Sequence, residues 1–109
     1  MSLRALEVAL EAIRLLRPLI PKIQRHDKGL AKQLREAASS MALNLGEGEY
    51  SDPGTRRARY FNGMASAGES LTALRTAEAW GYVGHNDFER PAERLDSVKA
   101  MLWPLTRGR

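Results

Sequence analysis

The sequence from Leu30 to Gly48, LAKQLREAASSMALNLGEG, decides the fold of this chain. Its apolar and small residues recur at steps of three and four, the spacing that places side chains on one face of an α-helix. The row consists of Leu30, Leu34, Ala37, Met41, Asn44 and Gly48, and it is widened by Ala38, Ala42 and Leu45. Such a row is typical of a helix packed into a bundle. We expect this helix to begin after Asp27, a good N-cap residue, and to fray near Gly46 and Gly48.

An amphipathic helix is predicted on the N-terminal side of this segment. It carries two apolar rows, one of Leu3, Leu6, Leu10 and Ile13 and one of Val8, Ala12, Leu15, Leu19 and Ile23. A helix with two apolar rows is expected to be covered on two sides. Pro18 and Pro21 each lack the N–H that a helix interior requires, so the helix either ends near Arg17 or continues with a kink to about Arg25. We favour the kinked helix, because Leu19 and Ile23 keep the register.

A third helix is predicted on the C-terminal side. Ser51 or Asp52 is suited to cap it, and Pro53 is suited to its first turn. Its apolar face is formed by Phe61, Met64, Gly68, Leu71 and Leu74. We expect it to stop at Gly81, a residue type that ends many helices.

The fourth predicted helix begins near Asn86, which together with Glu89 resembles a capping box. Its apolar row is Phe88, Leu95, Val98, Leu102 and Leu105. No strand pattern and no long linker interrupt the series. Four helices with short connections predict an all-α fold, an antiparallel up-and-down four-helix bundle that forms a single domain over residues 1–109.

The composition argues against an active site. The chain has no cysteine, which excludes disulfides, thiolate metal sites and a thiol nucleophile. Its two histidines, His26 and His85, lack a partner at metal-ligand spacing, and the Glu-x-x-His motif of di-metal bundles is missing. The Gly46–Gly48 segment follows a helix and has no lysine, unlike a phosphate-binding loop. We therefore expect no enzyme activity, no catalytic residue, no metal and no cofactor.

The expected location is cytoplasmic. No stretch approaches the roughly 20 apolar residues of a membrane span. The N-terminal segment also lacks the unbroken apolar core of a signal peptide.

Basic residues form the one candidate binding surface of a chain whose net charge is +4. Seven bases and one acid, Asp27, lie between Arg14 and Arg35, and a second group opens the third predicted helix. The residues assigned to nucleic-acid binding are Arg14, Arg17, Arg25, Lys28, Lys32, Arg35, Arg56, Arg57 and Arg59. Antiparallel packing would place the two groups at opposite ends of the second helix. No aromatic residues are interleaved with them, so binding should be directed at the backbone, independent of sequence and sensitive to salt.

Two other interpretations of the basic residues stay open. The first is a solvated charged face without a ligand, and the second is a contact with an acidic protein surface. In the second case the chain is a structural adaptor that binds only protein partners.

Asn44 is the one polar residue in the apolar row of the second predicted helix. A buried amide must find hydrogen-bond partners, and such residues can fix helix register or oligomeric state. We therefore assign Asn44 to a structural polar position in the core, with contact to a ligand or partner as the alternative.

The segment Gln33–Gly48 resembles the signature of bacterial four-helix-bundle proteins encoded in intervening sequences of large-subunit ribosomal RNA genes. That family includes the accessory variability determinant of diversity-generating retroelements. The resemblance covers most of the chain, and its Asn-x-x-Glu-Gly element, here Asn44, Glu47 and Gly48, is fairly specific. The stretch around Phe61, Ala67 and Gly68 and the ending Ala77–Tyr82 are also similar.

The resemblance implies an antiparallel bundle, commonly a homopentamer. In the retroelement branch it implies binding to RNA or DNA and to a reverse transcriptase. This chain has Gly46 where the family often has Ala, and Glu69 and Thr72 where it often has Ser and then Glu. These departures concern contacts of the third helix rather than the fold, and the resemblance does not select a branch.

Overall fold

Five α-helices form the chain from residue 2 to residue 107, the part that the computed structural model describes. They are α1 (Ser2–Leu16), α2 (Leu19–His26), α3 (Lys28–Glu49), α4 (Pro53–Trp80) and α5 (His85–Thr106). No strand occurs within these residues. α1 and α4 each contact both α3 and α5, so the four long helices close into a bundle 42 Å long and 21 by 20 Å across. The predicted all-α class is confirmed, and the long helices form the predicted bundle.

The segment that we expected to be one kinked helix is two helices, α1 and α2. α1 ends at Leu16, and the backbone of Pro18 stays in the helical region with φ −71° and ψ −16° before α2 begins at Leu19. The prediction of a continuous helix is therefore wrong. Pro18 and Pro21 follow each other within one turn and remove two helix hydrogen bonds, which is enough to interrupt the helix. The register survives the break, because Leu19 and Ile23 are both buried.

Two predicted N-caps and one predicted stop are confirmed. The Asp27 carboxylate accepts a hydrogen bond from the backbone N–H of Leu30 at 2.9 Å, and Asp52 accepts one from Thr55 at 2.9 Å. Gly81 adopts the left-handed conformation, φ 82°, at the end of α4. The prediction that Asn86 caps the last helix is wrong. α5 already begins at His85, and its N-cap residue is Gly84, which has no side chain to form a capping bond.

α3 and α4 approach closely along small residues. A Cβ on Gly63 would lie 2.9 Å from Cδ2 of Leu45, and the Ser66 hydroxyl donates a hydrogen bond to Oγ of Ser40 at 3.1 Å. The largest fully buried side chains of the core are Ile23, Leu34, Met41, Leu45, Leu74, Leu95, Val98 and Leu102. They come from four of the five helices, so the core runs along the bundle axis.

The prediction that the C-terminal end of α3 frays near Gly46 and Gly48 is wrong. The helix continues to Glu49. Gly48 is buried against the ring of Tyr60, and its carbonyl oxygen accepts a hydrogen bond from Nε of Arg56 at 3.1 Å. Contacts with α4 therefore offset the low helix propensity of glycine.

Among the residues described, no helix has both the length and the apolar character needed to cross a bilayer.

Candidate functional site

Three bases of α3 line one groove between α2 and α3, which we call the basic groove. It has a volume of about 240 Å³. Its lining residues are Ile20, Gln24, Lys28, Ala31, Lys32 and Arg35. Lys28, Lys32 and Arg35 are spaced by four and three residues, so they project from the same side of α3. Within residues 2–107, no carboxylate forms an ion pair with any of the three, and all three are exposed.

A second groove continues from the basic groove between α1, α2 and α3, and we call it the apolar groove. Its volume is about 340 Å³. It shares Ile20, Gln24 and Arg35 with the basic groove. The remaining lining residues are Ile13, Leu16, Arg17, Pro21, Ala38 and Ser39. The structure thus brings Arg17 to the same side of the bundle as Lys28, Lys32 and Arg35.

Arg14 and Arg25, which the sequence placed in the same cluster, lie elsewhere. Arg14 faces the α5 side of α1, in a depression that also contains the carboxylates of Glu7 and Glu11. Glu11 itself pairs with Arg94 of α5 at 3.7 Å. Arg25 is exposed on α2 and lines neither groove. The expected single cluster is therefore divided, because a run of bases along a helix is distributed around its circumference.

The second basic group lies at the far end of α3, as predicted. Gly48 is 20 residues beyond Lys28, about 30 Å along the helix axis. Arg56 donates hydrogen bonds to the carbonyl oxygens of Gly48 at 3.1 Å and Ser51 at 3.0 Å, so it caps the C-terminal end of α3. Arg59 pairs with Glu47 at 3.2 Å.

The sequence reasoning missed these structural roles of Arg56 and Arg59. They depend on the return of the chain from α4 to the end of α3. The third arginine of the group, Arg57, is exposed beside Gly54, Tyr60 and Leu105.

Asn44 lies beside the core rather than in it, so its assignment to the buried core is wrong. It is half-buried, while Leu45, which is 100° further around the helix, is fully buried. The Asn44 amide donates hydrogen bonds to the carbonyl oxygen and Oγ of Ser40 at 2.9 and 3.2 Å. Ser66 of α4 bonds to the same hydroxyl. Asn44 therefore belongs to a polar contact on the flank of the α3–α4 pair.

One carboxylate has a shifted pKa, and its role is structural. The backbone N–H and the hydroxyl of Thr55 donate hydrogen bonds to Asp52, and they hold the pKa of Asp52 below its ordinary value. His85 lies between Glu78 at 3.4 Å and Glu89 at 3.2 Å. Across the described part of the chain, no group of three histidine or carboxylate side chains is arranged to hold a metal ion.

An aromatic stack lies at the end of the bundle where α2 meets α3. The rings of His26 and Tyr82 are 4.8 Å apart and nearly parallel, at 2°, and Tyr82 stacks in turn on Trp80 at 6.3 Å and 15°. The sequence reasoning missed this stack, because its members come from α2, α4 and the turn after α4. The only local signal was the pairing of Trp80 with Tyr82 two residues later.

Comparison with known proteins identifies the family. Residues 3–103 match the family described as 23S rRNA-intervening sequence protein. The chain belongs to this family. No curated protein matches the sequence.

A solved member of the S23 ribosomal protein family has the same fold. It is the crystal structure of a protein with unknown function from Bacteroides thetaiotaomicron, which superposes with a TM-score of 0.84 at 17% sequence identity. The match covers 95% of this chain and 99% of the other. At this identity the similarity supports the fold alone.

The residues of the Asn-x-x-Glu-Gly element lie where α3 packs against α4. Asn44 binds Ser40, the residue that α4 contacts through Ser66. Glu47 pairs with Arg59 of α4, and Gly48 leaves space for Tyr60. In this member of the intervening-sequence family, the element therefore contributes to the packing of α3 against α4.

Proposed function

We propose that this intervening-sequence family protein is a basic, oligomeric accessory protein that binds nucleic acid without sequence preference and performs no catalysis. The observation that carries the proposal is the basic groove. Lys28, Lys32 and Arg35 present three positive charges along about 10 Å of one helix face. Lysine and arginine in such an array bind phosphates and release the counterions condensed on the nucleic acid.

The proposal places the main contact in the basic groove and narrows the predicted set of bases. Arg17 extends the same surface along the apolar groove. Arg56 and Arg59 are held by contacts within the α3–α4 connection, which reduces their availability to a ligand. Arg14 has carboxylates as neighbours.

We also propose that the protein assembles into a homo-oligomer, and that the oligomer is a pentamer, as the family resemblance implies. One apolar row of α1 supports assembly. We call it the outer row, and it consists of Leu3, Leu6, Leu10 and Ile13. Leu10 is 37% exposed, while Leu6 and Ile13 pack only partly against the core. A single subunit with net charge +4 would bind weakly, whereas an oligomer repeats the basic groove and gains avidity without new contacts.

We propose a reverse transcriptase partner only if the chain belongs to the retroelement branch of the family. The decisive observation is the gene neighbourhood. A reverse transcriptase gene with a repeat pair selects that branch, and an insertion within a ribosomal RNA gene selects the other.

The test is an anisotropy titration with a labelled oligonucleotide at about 50 to 200 mM salt. The groove variant Lys28→Gln/Lys32→Gln/Arg35→Gln should lose affinity and flatten the plot of log affinity against log salt by about 2 to 3 on duplex DNA. A matched control, Arg4→Gln/Arg14→Gln/Arg75→Gln, removes the same charge from exposed positions outside both grooves. It should keep most of the affinity.

Equal losses in the two triple variants would mean that only net charge matters and that the basic groove is not a site. No binding at about 50 mM salt by the intact oligomer would remove the proposal. The second candidate is then an adaptor that binds only protein. The apolar groove favours it, because the half-buried Ile13 and Ile20 offer an apolar surface between the charges of Arg17 and Arg35.

A further inference from the structure

The stack of His26, Tyr82 and Trp80 leaves a large aromatic surface open to solvent. Trp80 is 69% exposed, although tryptophan is among the side chains whose burial removes the most apolar area from water. Its ring is nearly parallel to that of Tyr82, which is half-buried and stacks on the exposed His26. The three rings therefore form an ordered platform that ends in an exposed indole.

The helix register places this platform level with the start of the basic groove along the bundle axis. Ser66 of α4 bonds to Ser40 of α3, and the two helices are antiparallel. Fourteen residues from Ser66 to Trp80 match fourteen residues from Ser40 back to His26, so Trp80 lies level with the junction of α2 and α3. Lys28, the first base of the basic groove, is two residues beyond His26.

Basic residues flank the platform on its α2 side. Arg25 and Lys28 flank the stacked His26 in sequence, and both are exposed without a carboxylate partner within residues 2–107. Of the acids at this end, Asp27 accepts a hydrogen bond from the Leu30 N–H, and Asp87 is paired with Lys22 at 3.0 Å. Glu78 and Glu89 lie on either side of His85.

We propose that the platform of Trp80, Tyr82 and His26 stacks an unpaired base of a single-stranded nucleic acid whose phosphates lie along the basic groove. Every base has a π-face, so a flat aromatic platform accepts any of the four, in keeping with binding that ignores sequence. Bases inside a duplex are already stacked on each other and cannot reach the platform. The inference rests on the proposed function and adds a preference for single strands over duplexes.

The experiment compares Trp80→Ala, Trp80→Phe and the control Trp103→Ala. Trp103 is also exposed, at 55%, but it lies on α5 outside the stack. The probes are a labelled 12-nucleotide single strand, the same length with abasic sites, and a duplex of that length. Trp80→Ala should weaken binding of the single strand about fivefold or more and leave duplex binding unchanged. Trp80→Phe should recover part of the loss, and Trp103→Ala should resemble the wild type.

Fluorescence gives an independent readout, because the chain has two tryptophans. In a Trp103→Phe background, Trp80 is the sole indole, and the single strand should quench its emission while the abasic strand does not. If Trp80→Ala weakens single strand and duplex equally, or leaves both unchanged, the platform does not stack a base. A change of subunit number in Trp80→Ala would instead make Trp80 a subunit contact.

The two proposals fail in distinguishable ways. If the groove variant loses affinity for both the single strand and the duplex, while Trp80→Ala loses affinity for neither, nucleic-acid binding stands and the platform inference is overturned. If the wild type binds neither probe, both are overturned.

Discussion

Gly48 of α3 lies so close to Tyr60 of α4 that a Cβ on the glycine would meet Cδ1 of the ring at 2.8 Å. Tyr60 is only 4% exposed, so its ring is packed within the contact between the two helices. The glycine of the family signature is therefore a packing requirement of the α3–α4 pair. This contact also explains why α3 continues to Glu49 in spite of two glycines in its last turns.

Gly48→Ala should destabilise the protein by about 1 to 3 kcal/mol, the usual range for a methyl group forced into a packed site. Gly46→Ala is the matched control in the same turn of helix. A Cβ there meets nothing within 4 Å, so alanine should stabilise the helix by about 0.4 to 1 kcal/mol. Urea unfolding of both variants measures the difference. Equal effects would mean that Tyr60 does not restrict position 48.

Leu34→Asp and Leu95→Asp should each abolish cooperative unfolding. Both leucines are 0% exposed in the core, and a buried unpaired carboxylate costs several kcal/mol, comparable to the whole stability of a small domain. Circular dichroism during heating measures the effect. The control is Leu43→Asp on α3, where the side chain is 65% exposed, and it should keep its helical spectrum and cooperative melting. Cooperative melting of both core variants would contradict the assigned core.

The sequence predicts the features of this fold that depend on neighbouring residues. Asp27 and Asp52 cap helices three residues ahead of the N–H groups they bind, and Gly81 ends α4 by its own conformation. The apolar rows locate Leu34 and Leu95 in the core for the same reason, because their spacing is a local property. The row predicted for the third helix is wrong at Phe61, which is 56% exposed.

The features that the sequence does not predict depend on which surfaces meet in three dimensions. Arg56 is a helix cap only because α4 returns to the end of α3. Asn44 fits the spacing of the apolar row, yet the core follows Leu45, one position around the helix. The stack of Trp80 on Tyr82 and His26 joins segments more than 50 residues apart in sequence.

Asn44→Leu should preserve the helices but remove the hydrogen bonds that hold the Ser40 hydroxyl, the partner of Ser66 on α4. The variant removes the amide that donates hydrogen bonds to Ser40. The Ser40 hydroxyl keeps Ser66 as its remaining partner. The expected loss is about 0.5 to 1.5 kcal/mol, the net worth of an ordinary hydrogen bond. Light scattering on the same samples tests whether Asn44 also sets subunit number. An unchanged melting curve together with an unchanged mass would leave Asn44 without a structural role.

Acid should remove the stabilising effect of Asp52. Its pKa lies below the ordinary value of 3.8 in the folded chain, because the Thr55 N–H and hydroxyl bind the ionised form. A lowered folded pKa means that the contribution is present in full above the unfolded value and is lost as the pH falls through the folded one. The melting temperature of Asp52→Ala should therefore lie below that of the wild type at pH 7, and the gap should narrow below about pH 3.8.

Asp52→Asn provides the control for this titration. An asparagine caps helices without ionising, so the gap between Asp52→Asn and Asp52→Ala should not narrow with acid. If the difference in melting temperature between the wild type and Asp52→Ala stays constant down to pH 2, the Asp52 charge does not stabilise α4.

Assembly should depend on the outer row of α1. Light scattering after size exclusion at micromolar concentration should give a multiple of the 12.2 kDa chain, and five copies correspond to about 61 kDa. Leu10→Gln removes apolar surface from this row without changing the charge, so it should shift the mass towards the monomer while the helical spectrum stays the same. Phe61→Gln alters an exposed side chain on α4 and should leave the mass unchanged.

Because avidity requires linked sites, the Leu10→Gln monomer should also bind a long oligonucleotide at least tenfold more weakly, although its basic groove is intact. A wild-type monomer would remove the assembly proposal, and loss of the oligomer in Phe61→Gln alone would move the interface from α1 to α4.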